Sequence, residues 1–341
     1  MKRVLLGMSG GVDSSVAAYL LKQQGYEVVG VTIDLFDGNK EEGCTSSHAI
    51  NDASKVCKLL DIEHYVVEYK CAFKKYVIDY FIKNYKEGKT PNPCIECNKY
   101  IKFGLLWKEA QKLNCDYIAT GHYAKREGMY LKRIDSIKDQ SYFLYQINKG
   151  VIPHILFPLS NYRNKEDVRA IAAQLNLVVK DKKDSQDICF IEEKDYKKFL
   201  QNNKVEAKEG NFILKDGRIL GRHKGITNYT IGQRKGLGIS YSMPLYVIKI
   251  DSLTNDIIVG GIDELYANEA IITDCNLLVD ELPRFAKAKI RYKASFEECE
   301  IINLHNGDLK IVFTNKVKAV TPGQSLVLYD KDVVLGGGII K

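Results

Sequence analysis

No run of apolar residues in this 341-residue chain approaches the ~18 needed to cross a bilayer, so no membrane span is expected. There is no internal repeat and no low-complexity tract, which excludes a repeat architecture. Charge of one sign is not in large excess. The net value of +7 permits an anionic partner such as RNA without demanding one. The first residues are basic, but their apolar run breaks almost at once into glycines, a poor secretory signal and a good first strand. Without such a signal, nine cysteines, an odd count, read as reduced thiols in the cytosol and not as a disulfide framework. The remaining composition, 45% hydrophobic and 27% charged, is that of a globular protein long enough for two or three cored domains.

The most informative stretch is Gly7-Met8-Ser9-Gly10-Gly11-Val12-Asp13-Ser14-Ser15. The apolar Val4-Leu5-Leu6 runs into it as a strand, and a helix with Val16, Ala17, Leu20 and Leu21 on one face runs out towards a stop at Gly25. A glycine-rich turn between a strand end and a helix start aims backbone N–H groups and the positive end of a helix dipole at one point, which suits a phosphate. It is not a Walker A loop, because no Gly-Lys-Ser/Thr follows. A plain strand–helix turn with small residues is the lesser reading of the spacing, and the Ser-Gly-Gly-Val-Asp-Ser order resembles the pyrophosphate loop of ATP pyrophosphatases.

Strand and helix patterns alternate through the first 120 residues. Strands are expected at 27–33, 65–67 and 117–120, and helices at 46–60, 73–85 and 101–113, the last with the single tryptophan, Trp107. Such alternation predicts an α/β fold, a parallel sheet with helices on both faces, whose ligands sit beyond the carboxyl ends of the strands. The loop at Gly7, the segment after Ile33 and Gly121-His122-Tyr123 all lie at such ends and are expected to line one crevice. Further helices are expected at 166–175 and 194–202. After about residue 205 short strands with Gly or Asn-Asp turns take over, at 210–214, 245–250, 257–259, 286–292, 309–313 and 325–329. The domains expected are a catalytic one at 1–204, a small β-rich one at 205–267 and a β-barrel at 268–341.

Two cysteine segments carry chemistry. In Thr90-Pro91-Asn92-Pro93-Cys94-Ile95-Glu96-Cys97-Asn98-Lys99 two prolines stiffen a loop, and Cys97 falls just before a predicted helix, where the dipole and Lys99 or Lys102 favour a thiolate. Cys94-x-x-Cys97 also fits half a zinc site, but a second matching pair is missing, and the thioredoxin context of a redox dithiol is absent. Cys189 stands alone beside Ile188 and Phe190. It reads as a core residue or, from its polar lead-in Lys182-Lys183-Asp184-Ser185, as part of an exposed loop. Cys44, Cys57, Cys71, Cys115, Cys275 and Cys299 read as packing or incidental residues.

Taken together and in order, these motifs resemble the tRNA-specific 2-thiouridylases. They are the pyrophosphate loop, Thr90-Pro-Asn-Pro with Cys97-Asn-Lys, Ala119-Thr-Gly-His-Tyr123, Lys138-Asp-Gln-Ser-Tyr-Phe-Leu-Tyr145, Lys183-Asp-Ser with Ile-Cys-Phe-Ile191, Gly232-Gln-Arg-Lys-Gly-Leu-Gly238, Val320-Thr-Pro-Gly-Gln324 and Leu335-Gly-Gly-Gly-Ile-Ile340. The resemblance implies an N-terminal pyrophosphate-loop ATP pyrophosphatase domain and ATP-dependent thiolation of the wobble uridine in the anticodon arm of tRNA. It implies that Gly7, Met8, Ser9, Gly10, Gly11, Val12, Asp13, Ser14, Ile33 and Gly121 bind ATP, with Asp13 helping to hold Mg²⁺. It implies tRNA contacts at Asn92, Pro93, Cys94, His122, Lys138, Asp139, Gln140, Arg291, Tyr292 and Gln324. Cys189 would carry a persulfide from a sulfur-relay protein or cysteine desulfurase. Cys97 would be its partner, and a Cys97–Cys189 disulfide would form in turnover. A monomer is expected.

One departure is Cys94, which stands where many members of the family have an aspartate proposed as a general acid/base. Cys94, Cys97 and Cys189 then make a three-thiol set able to ligate a [4Fe-4S] cluster. Lys287, Lys289, Arg291 and Lys293 recur at period two and would share one face of a strand, either as an ordinary solvated face or as a phosphate contact. The competing readings are an amide- or argininosuccinate-type ligase with the same loop, which needs neither cysteine, and a non-catalytic tRNA-binding protein.

Overall fold

The computed structural model describes residues 1–36, 47–183, 187–191, 193 and 195–341. Two units emerge from its contacts. One comprises Met1–Val77, Cys94–Phe190 and Lys331–Val334, the other Ile78–Pro93, Ile191–Asp330 and Leu335–Lys341. Among the described residues no helix is long and apolar enough to cross a membrane.

In the first unit Val4, Leu5 and Leu6 are fully buried in β1 (Arg3–Gly7). The chain then forms α1 (Val12–Gln23), β2 (Glu27–Asp34), α2 (Ser47–Leu59), β3 (Glu63–Glu68) and β4 (Tyr117–Ala119). The sheet order is β3-β2-β1-β4, with Ile155–Leu156 beyond β4, and every pairing is parallel. The core is the apolar side of α1 (Val16, Ala17, Ala18, Leu21) with Val4, Leu6, Ala53 and Val56. From β1 the chain moves outward to β2 and β3, then returns to the other side of β1 for β4. That reversal leaves a crevice at the carboxyl ends of β1 and β4, where α/β folds bind ligands.

Two helices differ from the periodicity. The one expected at 73–85 is a turn at Lys70–Phe73, a π-helical segment Lys74–Ile78 and an α-helix Asp79–Lys86. The one expected at 101–113 starts earlier. Its backbone turns helical at Pro93–Glu96, runs π-helical over Cys97–Leu105 and ends as Leu106–Lys112. The Leu106 N–H donates to Ile101 O, five residues back. Proline is well placed to open a helix, because its missing N–H is one the first turn cannot use. Cys97 therefore lies a full turn inside helical backbone and not just before it, and the N-terminal dipole acts on Cys94 instead.

In the second unit a four-stranded sheet runs in the order Tyr246–Asp251, Asp256–Gly260, Gly210–Ile213, Ile219–His223. It covers a core of Phe212, Tyr229, Val247, Ile257 and Val259. From Tyr266 onward six strands follow the order Tyr266–Leu277, Leu309–Lys318, Glu297–Asn303, Phe285–Lys289, Ser325–Asp330, Val333–Ile340. The first and last also pair, through Ile272 with Ile340 and Asn276 with Gly337, so the sheet closes into a barrel. The α/β domain, β-rich segment and C-terminal barrel are those read from the sequence. The strand expected at 286–292 is corrected. It ends at Lys289, because Ala294 N–H bonds Arg291 O in a turn, so Arg291 and Lys293 do not continue the face of Lys287 and Lys289.

Candidate functional site

The turn after β1 is fixed by its small residues. Gly10 has φ +64, and a Cβ there would lie 2.2 Å from Ala49 O of α2, so only glycine fits. The Ser14 hydroxyl accepts from Ser9 N–H at 3.2 Å and lies 3.1 Å from the Ser9 hydroxyl, while Ser14 and Ser15 both donate back to Gly11 O. Met8 is buried, its N–H on Val31 O. These bonds hold the start of α1 open towards the crevice. After β4, Gly121 packs so closely that a Cβ would lie 2.9 Å from Ser14 N and 3.0 Å from Asp13 C. The loop at Gly7 and Gly121 therefore meet, as expected, and Ile33 is the penultimate residue of β2.

Asp13 anchors this corner. Its Oδ1 accepts from the Tyr123 hydroxyl at 2.8 Å, and its Oδ2 pairs with Lys165 at 2.5 Å. Lys165 is only 7% exposed. The neighbouring ammonium of Lys182 donates to Gly10 O and to Asp52 Oδ2, both at 2.9 Å. Sequence patterns missed both lysines. They lie 152 and 172 positions from their loop partners, and only the helix Lys165–Gln174 packing on α1 brings Lys165 back. The Asp13 carboxylate, expected to help hold Mg²⁺, is bound by a hydroxyl and a buried ammonium.

His122 lies 2.8 Å from the Thr120 hydroxyl through Nδ1 and packs on Phe103. Burial, reinforced by the charge of Lys102, holds its pKa well below the ordinary histidine value, so it is a neutral imidazole near pH 7. Gln140 is locked to Tyr123: its Oε1 accepts the Tyr123 N–H at 2.9 Å and its N–H donates to Tyr123 O at 2.7 Å. Asp139 accepts from Ile134 N–H and the Ser141 hydroxyl, and burial raises its pKa. Lys138 is half-buried. The polar side chains of Asp139 and Gln140 thus serve the fold.

Cys94 is exposed, Cys97 buried and Cys189 half-buried. Next to Cys97, Asn98 donates from Nδ2 to Phe143 O at 2.9 Å, and its buried Oδ1 has no partner among the described residues. Beside Cys189, Phe190 is 2% exposed and packs edge-on against Phe73. The Lys70–Phe73 turn in turn packs against the Cys97–Leu105 segment. Cys189 is thus neither a core residue nor fully exposed, while its neighbour Phe190 lies in the core. No disulfide joins Cys97 to Cys189 in this structure. Among the described residues no three His, Cys, Asp or Glu side chains are placed to hold a metal ion. The Cys94, Cys97 and Cys189 thiols are therefore not assembled as cluster ligands. Of the other cysteines, Cys57, Cys115 and Cys299 are buried, Cys71 is exposed and Cys275 half-buried, and Cys44 lies outside the described residues.

In the second unit Asn92 is half-buried and Pro93 buried. The Gln324 amide donates to Thr90 O at 2.7 Å. Arg291 is exposed on its turn. Lys287 pairs with Glu298 at 3.4 Å, and the Lys289 ammonium lies over the rings of Tyr292 and Phe296.

Residues 2–193 match a family described as the tRNA methyl transferase HUP domain, 197–261 the tRNA methyl transferase PRC-barrel domain and 267–340 the aminomethyltransferase beta-barrel domain. The chain is 50% identical over 356 aligned positions to the tRNA-specific 2-thiouridylase MnmA 2 of Caldanaerobacter subterraneus subsp. tengcongensis, covering 99% of this chain and 98% of that one. It is 48% identical over 354 positions to the tRNA-specific 2-thiouridylase MnmA of Clostridium botulinum (strain Alaska E43), covering 100% and 98%. A solved 4-thiouridine synthetase–RNA complex with bound ATP is similar over 59% of this chain and 50% of that chain, at 17% identity and a TM-score of 0.40.

Proposed function

The chain belongs to the tRNA-specific 2-thiouridylase family, and from that premise we propose how its own residues divide the work. It is an ATP-using tRNA 2-sulfurtransferase. The observation that carries the reading is full-length identity of about half to enzymes of that name, together with an intact Ser9-Gly10-Gly11-Val12-Asp13-Ser14 turn at the sheet's switch point. A ligase reading leaves the matches over 197–261 and 267–340 without a role.

The substrate is the wobble uridine of the anticodon arm. A uracil 2-oxygen is a poor leaving group until it attacks the α-phosphorus of ATP and becomes an adenylate, releasing pyrophosphate. The open N–H groups at the start of α1 hold that pyrophosphate, and Lys165 and Lys182 stand beside them as cations. Ile33 and Gly121 flank the adenosine side. Cys189 carries a persulfide received from a sulfur-relay protein or cysteine desulfurase. Its terminal sulfur attacks C2, AMP leaves, and Cys97 thiolate displaces the product sulfur by forming a disulfide with Cys189 that an external thiol reduces. Alternatively Cys97 attacks first and releases sulfide, which attacks C2. Asn92, Pro93 and Cys94 form the wall for the extruded base, with His122, Lys138, Arg291 and Tyr292 on the RNA. Mg²⁺ would be held chiefly by the ATP phosphates with Asp13 beside it, because magnesium takes only one or two protein carboxylates at such sites, whereas the Cys94, Cys97 and Cys189 thiols are not gathered as cluster ligands. The protein is a cytoplasmic monomer divided near residues 204 and 267.

Mass spectrometry of tRNA nucleosides from a deletion strain tests the reading. Wild type restores 2-thiouridine, and Cys97→Ser and Cys189→Ser do not. Undiminished 2-thiouridine in the deletion strain refutes it.

A further inference from the structure

The helix Lys165–Gln174 carries two cations four positions apart on one side, and each serves a different part of the pyrophosphate turn. Lys165 pairs with Asp13 at the start of α1. The guanidinium of Arg169 grips backbone instead. Its Nη1 donates to Lys180 O at 2.8 Å and its Nη2 to Lys182 O at 2.7 Å. A rigid planar fork on two carbonyls two residues apart fixes the chain between them. The same stretch is a run of turns, with Leu177 N–H on Ala172 O, Lys180 N–H on Leu177 O and Lys182 N–H on Val179 O. Leu177 and Val179 are buried beneath it. From this held backbone the Lys182 side chain reaches Gly10 O in the pyrophosphate turn and Asp52 Oδ2 on α2, each at 2.9 Å.

We infer that Arg169 is a positioning residue for the nucleotide: by holding the carbonyls of Lys180 and Lys182 it aims the Lys182 ammonium at the pyrophosphate turn, where that ammonium exchanges Asp52 for a phosphate oxygen when ATP binds. This rests on the proposed function for the ATP, while the grip of Arg169 is independent of it. Gly10 belongs to the turn whose N–H groups face the crevice, so a cation on its carbonyl lies within one side chain's swing of a phosphate bound there. Asp52 supplies the counter-charge until then. The Lys182–Asp52 pair is 38% and 27% exposed, so water screens it and it is held weakly. A triphosphate brings more negative charge than one carboxylate, which favours the exchange. The two cations also suit their tasks. A lysine ammonium is a point charge on a flexible stem that can change partners, whereas the arginine fork keeps a fixed geometry.

The test is equilibrium ATP binding to the full chain, with a melting curve on each variant. It compares wild type, Lys182→Met, Arg169→Met, Arg169→Lys, the double variant Arg169→Met/Lys182→Met and Asp52→Asn. We expect Lys182→Met to raise the ATP Kd at least about tenfold, the loss of one hydrogen bond between charged groups. Arg169→Met raises it several-fold, and Arg169→Lys, which keeps a donor for the carbonyls, recovers most of that. The double variant binds no more weakly than Lys182→Met alone, because Arg169 acts through Lys182. Asp52→Asn leaves the Kd unchanged or lowers it, since the ammonium loses its competing partner. An Arg169→Met variant that melts lower yet binds ATP like wild type overturns the inference and makes the grip purely structural. So do effects that multiply in the double variant, which give Arg169 another route. An Asp52→Asn variant that binds as weakly as Lys182→Met overturns it too, making Lys182 a brace between the turn and α2. Binding needs no sulfur transfer, so a wild type that binds ATP but forms no 2-thiouridine refutes the proposed function and leaves this comparison standing.

Discussion

Three glycines around the pyrophosphate turn form a graded steric series. A Cβ at Gly7 would have its nearest neighbour, Leu106 Cδ2, at 3.5 Å, an ordinary contact. At Gly121 it would lie 2.9 Å from Ser14 N and 3.0 Å from Asp13 C, both on the backbone that opens α1. Relief requires a shift of about 0.5 Å in the loop or the β4 turn, an overpacking cost of ~1–3 kcal/mol. At Gly10 the clash is 2.2 Å from Ala49 O, and the left-handed φ of +64 adds ~1–2 kcal/mol for any L side chain. Gly7→Ala should therefore leave the KM for ATP within about twofold, a few tenths of a kcal/mol. Gly121→Ala should raise it roughly 5- to 150-fold, each 1.36 kcal/mol being a factor of ten. Gly10→Ala should abolish ATP turnover. AMP release in the presence of tRNA is the assay, with a melting curve on each variant to confirm folding. If Gly7→Ala proves as damaging as Gly10→Ala, or Gly121→Ala is silent, the steric account of the loop is wrong.

The buried Lys165 is next. Lys165→Met strands the Asp13 carboxylate beside Tyr123. Because that carboxyl is 31% exposed, the cost falls below the ~3–5 kcal/mol of a fully buried pair, at about 2–3 kcal/mol. This reads as a melting point roughly 5–10 °C lower, with Lys165→Arg recovering most of it. His122 has its folded pKa below the unfolded one, so between the two the unfolded chain binds more protons. Stability should then be constant above about pH 6.5 and fall as pH drops below it. His122→Gln should flatten that limb in parallel thermal melts, although His64 and His223, also lowered by burial, retain part of it. Burial pushes the thiols of Cys57 and Cys299 up to about 12. Iodoacetamide near neutral pH should therefore modify the exposed Cys71 and Cys94 and spare Cys57 and Cys299 until the protein is unfolded, as peptide mass spectrometry reads directly.

Much of this was visible in the chain itself, for local reasons. Val4-Leu5-Leu6 is a buried strand because three apolar residues precede a glycine turn, and that reading needs no distant partner. The pairing of Asp13 with Lys165 has no local signature, since 152 positions separate the two. The π-helical segment at Cys97–Leu105 was equally silent, because i→i+5 bonding leaves the same apolar spacing within a turn or two. In the barrel, Glu297–Asn303 reads Glu-Glu-Cys-Glu and lacks clean alternation, yet pairs on both edges. Its charges are balanced from neighbouring segments, Glu300 by Arg284 and Glu298 by Lys287. The run Gly336-Gly337-Gly338 argues against a strand by propensity and forms one because closure demands it. A Cβ at Gly336 would meet Asn276 O at 2.2 Å, and one at Gly338 would meet Thr273 O at 2.6 Å. Those carbonyls belong to the strand on which the barrel closes.

The bond between Thr90 and Gln324 spans 234 positions. Thr90 leaves the ribosome long before its partner has been synthesised, and the turn that receives it needs Ile340 in place as well. A nascent chain can complete β1 to β4 and the pyrophosphate turn while the proline stretch still hangs loose. Competence to place a base would then arrive last, as a checkpoint that an incompletely translated enzyme fails.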